Sequence, residues 1–260
     1  AEKRKDEEGF VYLPLNENEL LKIRYNKTIW LFWGVSAAFV ALFGMLNSEK
    51  DLVMNLYGYT SSFAYMRIAG TFVVMFLAPV AGTVFTQELW QGTMQNTLSC
   101  GVGRLRYFAV KAVCVYVIDL LIFLFCLGEF ICFRTAVRGW RPGTYSDAYP
   151  NFGLVNLAFH GGTCLLLCVY IALFILVAVS VKRPALVYFS GAVATMGEFM
   201  VMNYGQGYQG VMPAVIRMYD MAAAGKVLTP EFAGLFVQGT SMGIVFLGAA
   251  VFVFLRRDID

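Results

Sequence analysis

Long apolar runs separated by short polar stretches dominate the chain. Six of these runs reach the roughly 20 residues that a helix needs to cross a bilayer. They cover 28–46, 68–86, 112–133, 154–181, 184–203 and 235–255. The fourth is long enough to tilt or to project from the membrane. The fifth opens on Pro184, a tolerated first-turn position. The pattern predicts an all-α polytopic membrane protein with six transmembrane helices. Its domains read as a tail and interfacial helix over 1–27 and a single transmembrane domain over 28–260.

The polar stretches are not all simple connectors. Residues 16–27 place Leu20, Leu21 and Ile23 among Glu17, Glu19, Lys22, Arg24 and Lys27. That pattern predicts an N-terminal amphipathic elbow helix lying in the interface, with a soluble N-terminal helix as the alternative. Residues 134–153 are rich in Gly, Pro and Tyr and read as an irregular outer loop. Residues 204–234 hold helix-length pieces such as 211–224, broken by Gly, Pro213 and Pro230. Half-apolar short helices of this kind between spans five and six can re-enter the membrane, where non-helical backbone needs cover from protein.

Composition excludes the other broad classes. Hydrophobic residues are 59% and charged residues 14%, against about 45–50% and 25% in soluble domains. A soluble enzyme, a disordered tail or a nucleic-acid binder does not fit. The net charge of +3 becomes informative once the charges are placed. With both termini cytoplasmic, the inner segments hold 13 Lys and Arg and the outer segments 7. Lys182-Arg183 and Arg256-Arg257 are the clearest markers. The charged start followed by more polar sequence does not read as a cleaved signal peptide. Asn26-Lys27-Thr28, the N-x-[ST] match, falls on the cytoplasmic side. The six cysteines include no Cys-x-x-Cys, and Cys164 and Cys168 share a helix face with only His160 as an obvious further ligand. They read as apolar filler, with no metal site.

The informative connector is 87–107. Residues 87–99 predict one short helix beyond the membrane surface, stopped by Gly101 and Gly103. Leu89, Met94 and Leu98 give it a partial apolar edge, and Gln87, Gln91, Gln95 and Asn96 keep it wet. Arg104, Arg106 and Lys111 are then expected to meet anionic headgroups. Such a helix is suited to docking a cytosolic partner, and an ordinary connecting helix is the alternative. Glu88-x-x-x-Gly92-Thr93, then Leu98-Ser99, Arg104 and Lys111, resembles the signature of ABC-2-type transporter permeases. The family often has Pro and Ser where this chain has Gly101 and Gly103.

That resemblance implies a cytoplasmic coupling helix between spans two and three. It implies a permease subunit of a bacterial ABC exporter, paired with an identical or sister permease and with a cytosolic ATPase that binds ATP and Mg. The compact length resembles permeases of bacteriocin immunity and peptide-antibiotic resistance, which places the chain in the bacterial plasma membrane and makes an antimicrobial peptide, or a hydrophobic drug, the expected cargo. By the same resemblance, Glu88, Trp90, Gln91, Gly92, Thr93 and Arg104 are the expected ATPase-coupling residues. Glu88 makes a charged or capping contact, and Trp90 plugs an ATPase groove. The chain itself reads as non-enzymatic and cofactor-free. It holds no G-x-x-x-x-G-K-[ST] loop, and Gly101-x-Gly103-x-x-Arg106 lacks the third glycine of a dinucleotide loop.

Asp119, Glu129, His160 and Glu198 fall inside spans, where ionisable groups at a helix centre cost about 2.5–3.5 kcal/mol. By helical rise, Glu129, His160 and Glu198 each lie roughly 6–9 Å inside the outer end of their spans. They allow either a polar substrate path or helix-to-helix hydrogen bonds. Used as coupling sites, they would serve an ATP-independent secondary transporter or channel, the alternative function. Ala78-x-x-x-Gly82, Ser190-x-x-x-Ala194 and Gly239-x-x-x-Gly243 let helices approach closely.

Overall fold

The structure is a computed structural model that describes residues 24–46, 71–99, 101–138, 152–181, 183–204 and 229–256, with single positions at 217, 221 and 226. Its elements are α1 (Lys27–Leu46), α2 (Thr71–Met75), α3 (Ala78–Ala81), a π turn (Gly82–Thr86), α4 (Gln87–Gln91), α5 (Met94–Ser99), α6 (Arg104–Arg138), α7 (Phe152–Ser180), α8 (Pro184–Tyr204) and α9 (Pro230–Arg256). Among the described residues, four stretches are long and apolar enough to cross a membrane: Val73–Gln91, Arg104–Phe133, His160–Ser180 and Pro230–Arg256. Lys27–Leu42 and Pro184–Gly197 are shorter apolar helices. The chain is an all-α, multi-pass membrane protein. The expected elbow helix lies outside the described residues except for its last few positions. Most of the 134–153 loop and of the 204–234 segment lies outside them as well.

Helix ends follow local chemistry. Asn26 Oδ1 accepts the Thr28 amide at 2.9 Å and caps α1. Pro184 and Pro230 open α8 and α9, where a missing N–H costs nothing. Thr229 Oγ1 accepts the Phe232 amide at 3.4 Å at the start of α9. In the bundle, α7 packs most extensively on α9, α1 on α6, and α8 on α2 and α3. Large buried side chains from several of these helices, among them Leu77, Phe85, Phe123, Phe130, Phe174 and Phe254, fill the core.

The second crossing departs from the uninterrupted helix expected over 68–86. Pro79 has no N–H to give the Met75 carbonyl. The chain tightens there, with three-residue bonds from Phe76 to Val73 (2.9 Å), Leu77 to Val74 (3.1 Å) and Val80 to Leu77 (3.1 Å). It then widens through the π turn, all five residues of which are buried. Ala78 and Gly82 allow the close approach expected of them, and Gly191, beside the expected Ser190, allows another. A Cβ on Gly82 would fall 2.7 Å from the Tyr188 ring, and one on Gly191 would fall 2.6 Å from the Met75 oxygen. Gly239 is buried on α9, and a Cβ at Gly243 would meet Val169 of α7 at 3.6 Å.

The single helix expected over 87–99 is two helices. Gly92 adopts a left-handed φ of 69°, and the Glu88 carbonyl accepts the amides of both Gly92 and Thr93. This is a helix stop that glycine makes without steric cost. Gly101, with φ 84°, ends α5 as expected. The third helix starts at Arg104, eight residues before the apolar run expected to form the span.

Candidate functional site

Residues 83–88 form a polar hub at one end of the bundle. Glu88 follows the π turn on α4 and is buried. Lys111 and Tyr107 stand one turn apart on α6, so both reach the same neighbour. Lys111 Nζ lies 3.2 Å from Glu88 Oε2 and donates to the Val84 carbonyl at 2.7 Å. Tyr107 donates its hydroxyl proton to the same Glu88 oxygen. The ammonium also sits 5.0 Å from the Tyr107 ring centroid. Lys111 is 1% exposed. A buried charge pair persists when further hydrogen bonds offset desolvation, and the phenol and the carbonyl supply them.

Other helices attach to the same six residues. Asn26, at the start of α1, donates its side-chain amide to Gln87 Oε1 at 3.1 Å. Thr86 donates to the Ala178 carbonyl of α7 at 3.2 Å. Thr83 and the Tyr188 hydroxyl of α8 lie 3.1 Å apart. Tyr107 stacks on Phe254 of α9, with centroids 5.9 Å apart and planes 10° apart. Arg104 donates to the Leu255 carbonyl at 3.3 Å, capping the end of α9. Contacts from α1, α6, α7 and α8 thus converge directly on the hub, and α9 joins through α6.

The expected coupling residues divide by exposure. Trp90 is 66% exposed, and Gln91, Gly92 and Thr93 are exposed beside it, while Met94 is buried. Glu88 faces inward, bonded within the chain. Lys111 is corrected: it was expected at the headgroups, but it turns into the bundle. Its apolar neighbours Phe108 and Ala112 are buried with it, and Glu88 is the carboxylate within reach. Tyr107, Thr83 and Thr86 carry no mark in the sequence pattern that singles them out, Asn26 stands out there only as an N-x-[ST] match, and Pro79 is masked by the apolar run around it. Lys111, at the edge of an apolar run between Val110 and Ala112, is the signal, since a cation drawn into the bundle needs an anionic partner.

The intramembrane residues lie on α6, α7 and α8. Glu129 on α6 and His160 on α7 are each partly buried, and Glu129 Oε2 has no hydrogen-bond partner among the described residues. Glu198 lies on α8, with its side chain outside the described residues. Asp119 is fully buried on α6, and neither of its oxygens has a hydrogen-bond partner among the described residues. Among those residues, no group of three or more His, Cys, Asp or Glu could hold a metal ion.

Compared with known families, residues 15–188 match the profile described as ABC-2 family transporter protein. The match spans the hub, both flanking crossings and the start of α8. No curated protein matches the chain.

Proposed function

The chain belongs to the ABC-2 family of transporter proteins, and from that premise we propose that it is the permease subunit of an ATP-driven exporter. A separate cytosolic ATPase subunit binds ATP and Mg and performs hydrolysis. The permease works with a second copy or a sister chain, as six spans in the bacterial plasma membrane with both termini cytoplasmic. Residues 1–27 form the tail and elbow, and 28–260 the transmembrane domain. The cargo is a hydrophobic or amphipathic molecule such as an antimicrobial peptide.

One observation carries this reading. A short exposed helix–turn, Trp90 to Thr93, projects from a hub that is bonded to four other helices. An external motor pushing on Trp90, Gln91, Gly92 and Thr93 moves Glu88. Glu88 in turn moves α6 through Lys111 and Tyr107, and Arg104 extends that joint to α9. Trp90 offers an indole to an apolar groove, and such rings dominate docking energetics.

The test is co-purification with a candidate ATPase. Trp90→Ala should reduce capture by at least about tenfold, the scale of a lost interface anchor, while the permease alone unfolds at an unchanged temperature. Glu88→Ala should preserve capture and abolish cargo-stimulated hydrolysis. Transport driven by an ion gradient alone, lost in Glu129→Gln, His160→Ala and Glu198→Gln, would replace this reading with that of a secondary transporter.

A further inference from the structure

Asp119 takes no part in the hub. It stands midway along the crossing Arg104–Phe133, about 21–23 Å from its two ends at the helical rise, so its short side chain cannot snorkel to either surface. On α6, Val113, Val117, Leu121 and Leu124 are exposed, while Val115, Asp119, Ile122 and Phe123 are buried. Asp119 therefore points into the bundle, at 0% exposure, and neither of its oxygens has a hydrogen-bond partner among the described residues. The groups that could answer it are engaged or distant. One turn back on α6, the Tyr116 hydroxyl donates to the Cys168 carbonyl of α7 at 3.3 Å. Two turns back, about 12 Å by helical rise, Lys111 is held by Glu88 and the Val84 carbonyl. Cys126 and Glu129 lie about 10 and 15 Å further out on the same helix. The contact of Tyr116 with Cys168 puts Cys164 of α7 level with Asp119, with His160 and Tyr170 each about 7 Å away along the axis. The other elements packed on α6 are α1, with Lys27 at its first residue, α9, with Glu231 and Arg256 at its two ends, and α3 and the π turn, with no titratable side chain.

A carboxylate buried with neither cation nor donor is far costlier than the neutral acid in the same place, and such a group takes up a proton. A metal ion needs several oxygen ligands at once. The side chains flanking Asp119 on its own face are Val115, Ile122 and Phe123, whereas a proton needs one oxygen. The acid also makes no bond that holds the packed bundle together, so its contribution belongs to a state in which it meets water. We propose that Asp119 is a proton-binding site of the permease, which holds a proton in the packed bundle and releases it to water when α6 and α7 part. On release the O–H bond breaks, its electron pair stays on the carboxylate, and water takes the proton. The parting is the opening stroke of the exporter described above, and the release step rests on that reading; the proton held in the packed bundle does not. Opening then becomes about tenfold less favourable for each unit by which the pH falls, wherever the open group is ionised and the packed one is neutral.

Infrared spectroscopy reads the site directly, because the carbonyl stretch of an un-ionised acid is separate from that of a carboxylate and needs no reagent to reach it. The permease alone is reconstituted in lipid at about pH 7, where an aspartate open to water, ionising at about pH 3.9, shows no such band. Subtracting the spectrum of Asp119→Asn from that of the wild type should leave one un-ionised carboxyl band. Asp119→Leu serves the same subtraction should the asparagine variant not fold. No band in the difference overturns the proposal. A band that appears only when sodium and potassium are withheld also overturns it, and reassigns the site to an alkali cation. The second measurement adds an ATPase partner defective in hydrolysis and holds the complex with ATP. The band should then weaken by at least about tenfold, as the group meets water and ionises. An unchanged band with the partner bound overturns the release step. A band present in the permease alone, with no ATPase binding at all, defeats the exporter reading and upholds the proton site.

Discussion

The second and third crossings lie side by side and share the hub, yet their backbones differ throughout. The second tightens at Phe76–Leu77, widens at Gly82–Thr86 and stops at Gly92. The third runs unbroken for 35 residues. Their surroundings differ in parallel. Protein buries 78% of the most apolar window of the second crossing but 39% of that of the third. Non-helical backbone at membrane depth survives only where protein covers it, and the broken crossing is the covered one. The cover comes from α7 over the π turn and from α8, which Gly191 admits against the very carbonyl that Pro79 leaves without a helical donor. Irregularity and close packing are thus one feature seen from two sides. The straight crossing can face lipid because its own backbone is satisfied.

The sharpest way to break this comparison is at the joint between the two crossings. Lys111→Met keeps the length of the side chain and removes its charge. It leaves Glu88 buried without its cation, a loss of about 3–5 kcal/mol. Denaturant unfolding in detergent micelles should show that loss as a lowered midpoint. Adding Glu88→Leu should recover a large part of it, because both charges are then gone. A double variant no better than Lys111→Met would mean that the ion pair is not what joins the crossings, and that the Val84 carbonyl alone carries the contact.

Much of the fold is legible in the one-dimensional pattern, and the hub is not, for a physical reason. Apolar runs reveal crossings because bilayer thickness sets their length. Gly101 announces a helix stop because a positive φ is a local property. Ala78 and Gly82 announce close approach because small size is local too. Lys111, by contrast, takes its meaning from Val84 and Glu88, 27 and 23 positions back, and Asn26 from Gln87, 61 positions on. Pro79 stood in plain view, yet an apolar window averages over it. Splitting of the connector at Gly92 was equally visible, since Glu88 to Thr93 holds the glycine that α4 needs to end. Depth alone groups Glu129, His160 and Glu198, and depth says nothing about which way a helix faces.

The next test compares two glycines. A Cβ at Gly191 meets the Met75 oxygen at 2.6 Å and the Ala78 Cβ at 2.7 Å, whereas one at Gly128 on α6 meets nothing within 4 Å. Gly191→Ala should cost about 1–3 kcal/mol by forcing α8 away from the second crossing. Gly128→Ala should be neutral or add about 0.5–1 kcal/mol, through the backbone entropy that alanine does not lose. Thermal unfolding of the two variants decides the matter. Equal costs at both positions would remove the claim that close packing of α8 covers the tightened part of the crossing.

The smallest effect belongs to the outward face of α6. Val113, Val117, Leu121, Leu124 and Phe125 are 49–61% exposed along one side of that helix. In lipid these side chains gain little from burial, since acyl chains are as apolar as they are. Leu121→Ala should change stability by no more than about 0.5 kcal/mol, whereas Leu77→Ala, at 0% exposure in the second crossing, should cost about 2–5 kcal/mol. The pair separates two meanings of the word exposed. If Leu121→Ala unfolds the protein only at low permease concentration and is silent at high concentration, the face meets a second permease rather than lipid. The straight crossing would then be half-bare only in the single chain, and both crossings would be covered in the working assembly, one by its own bundle and the other by a partner.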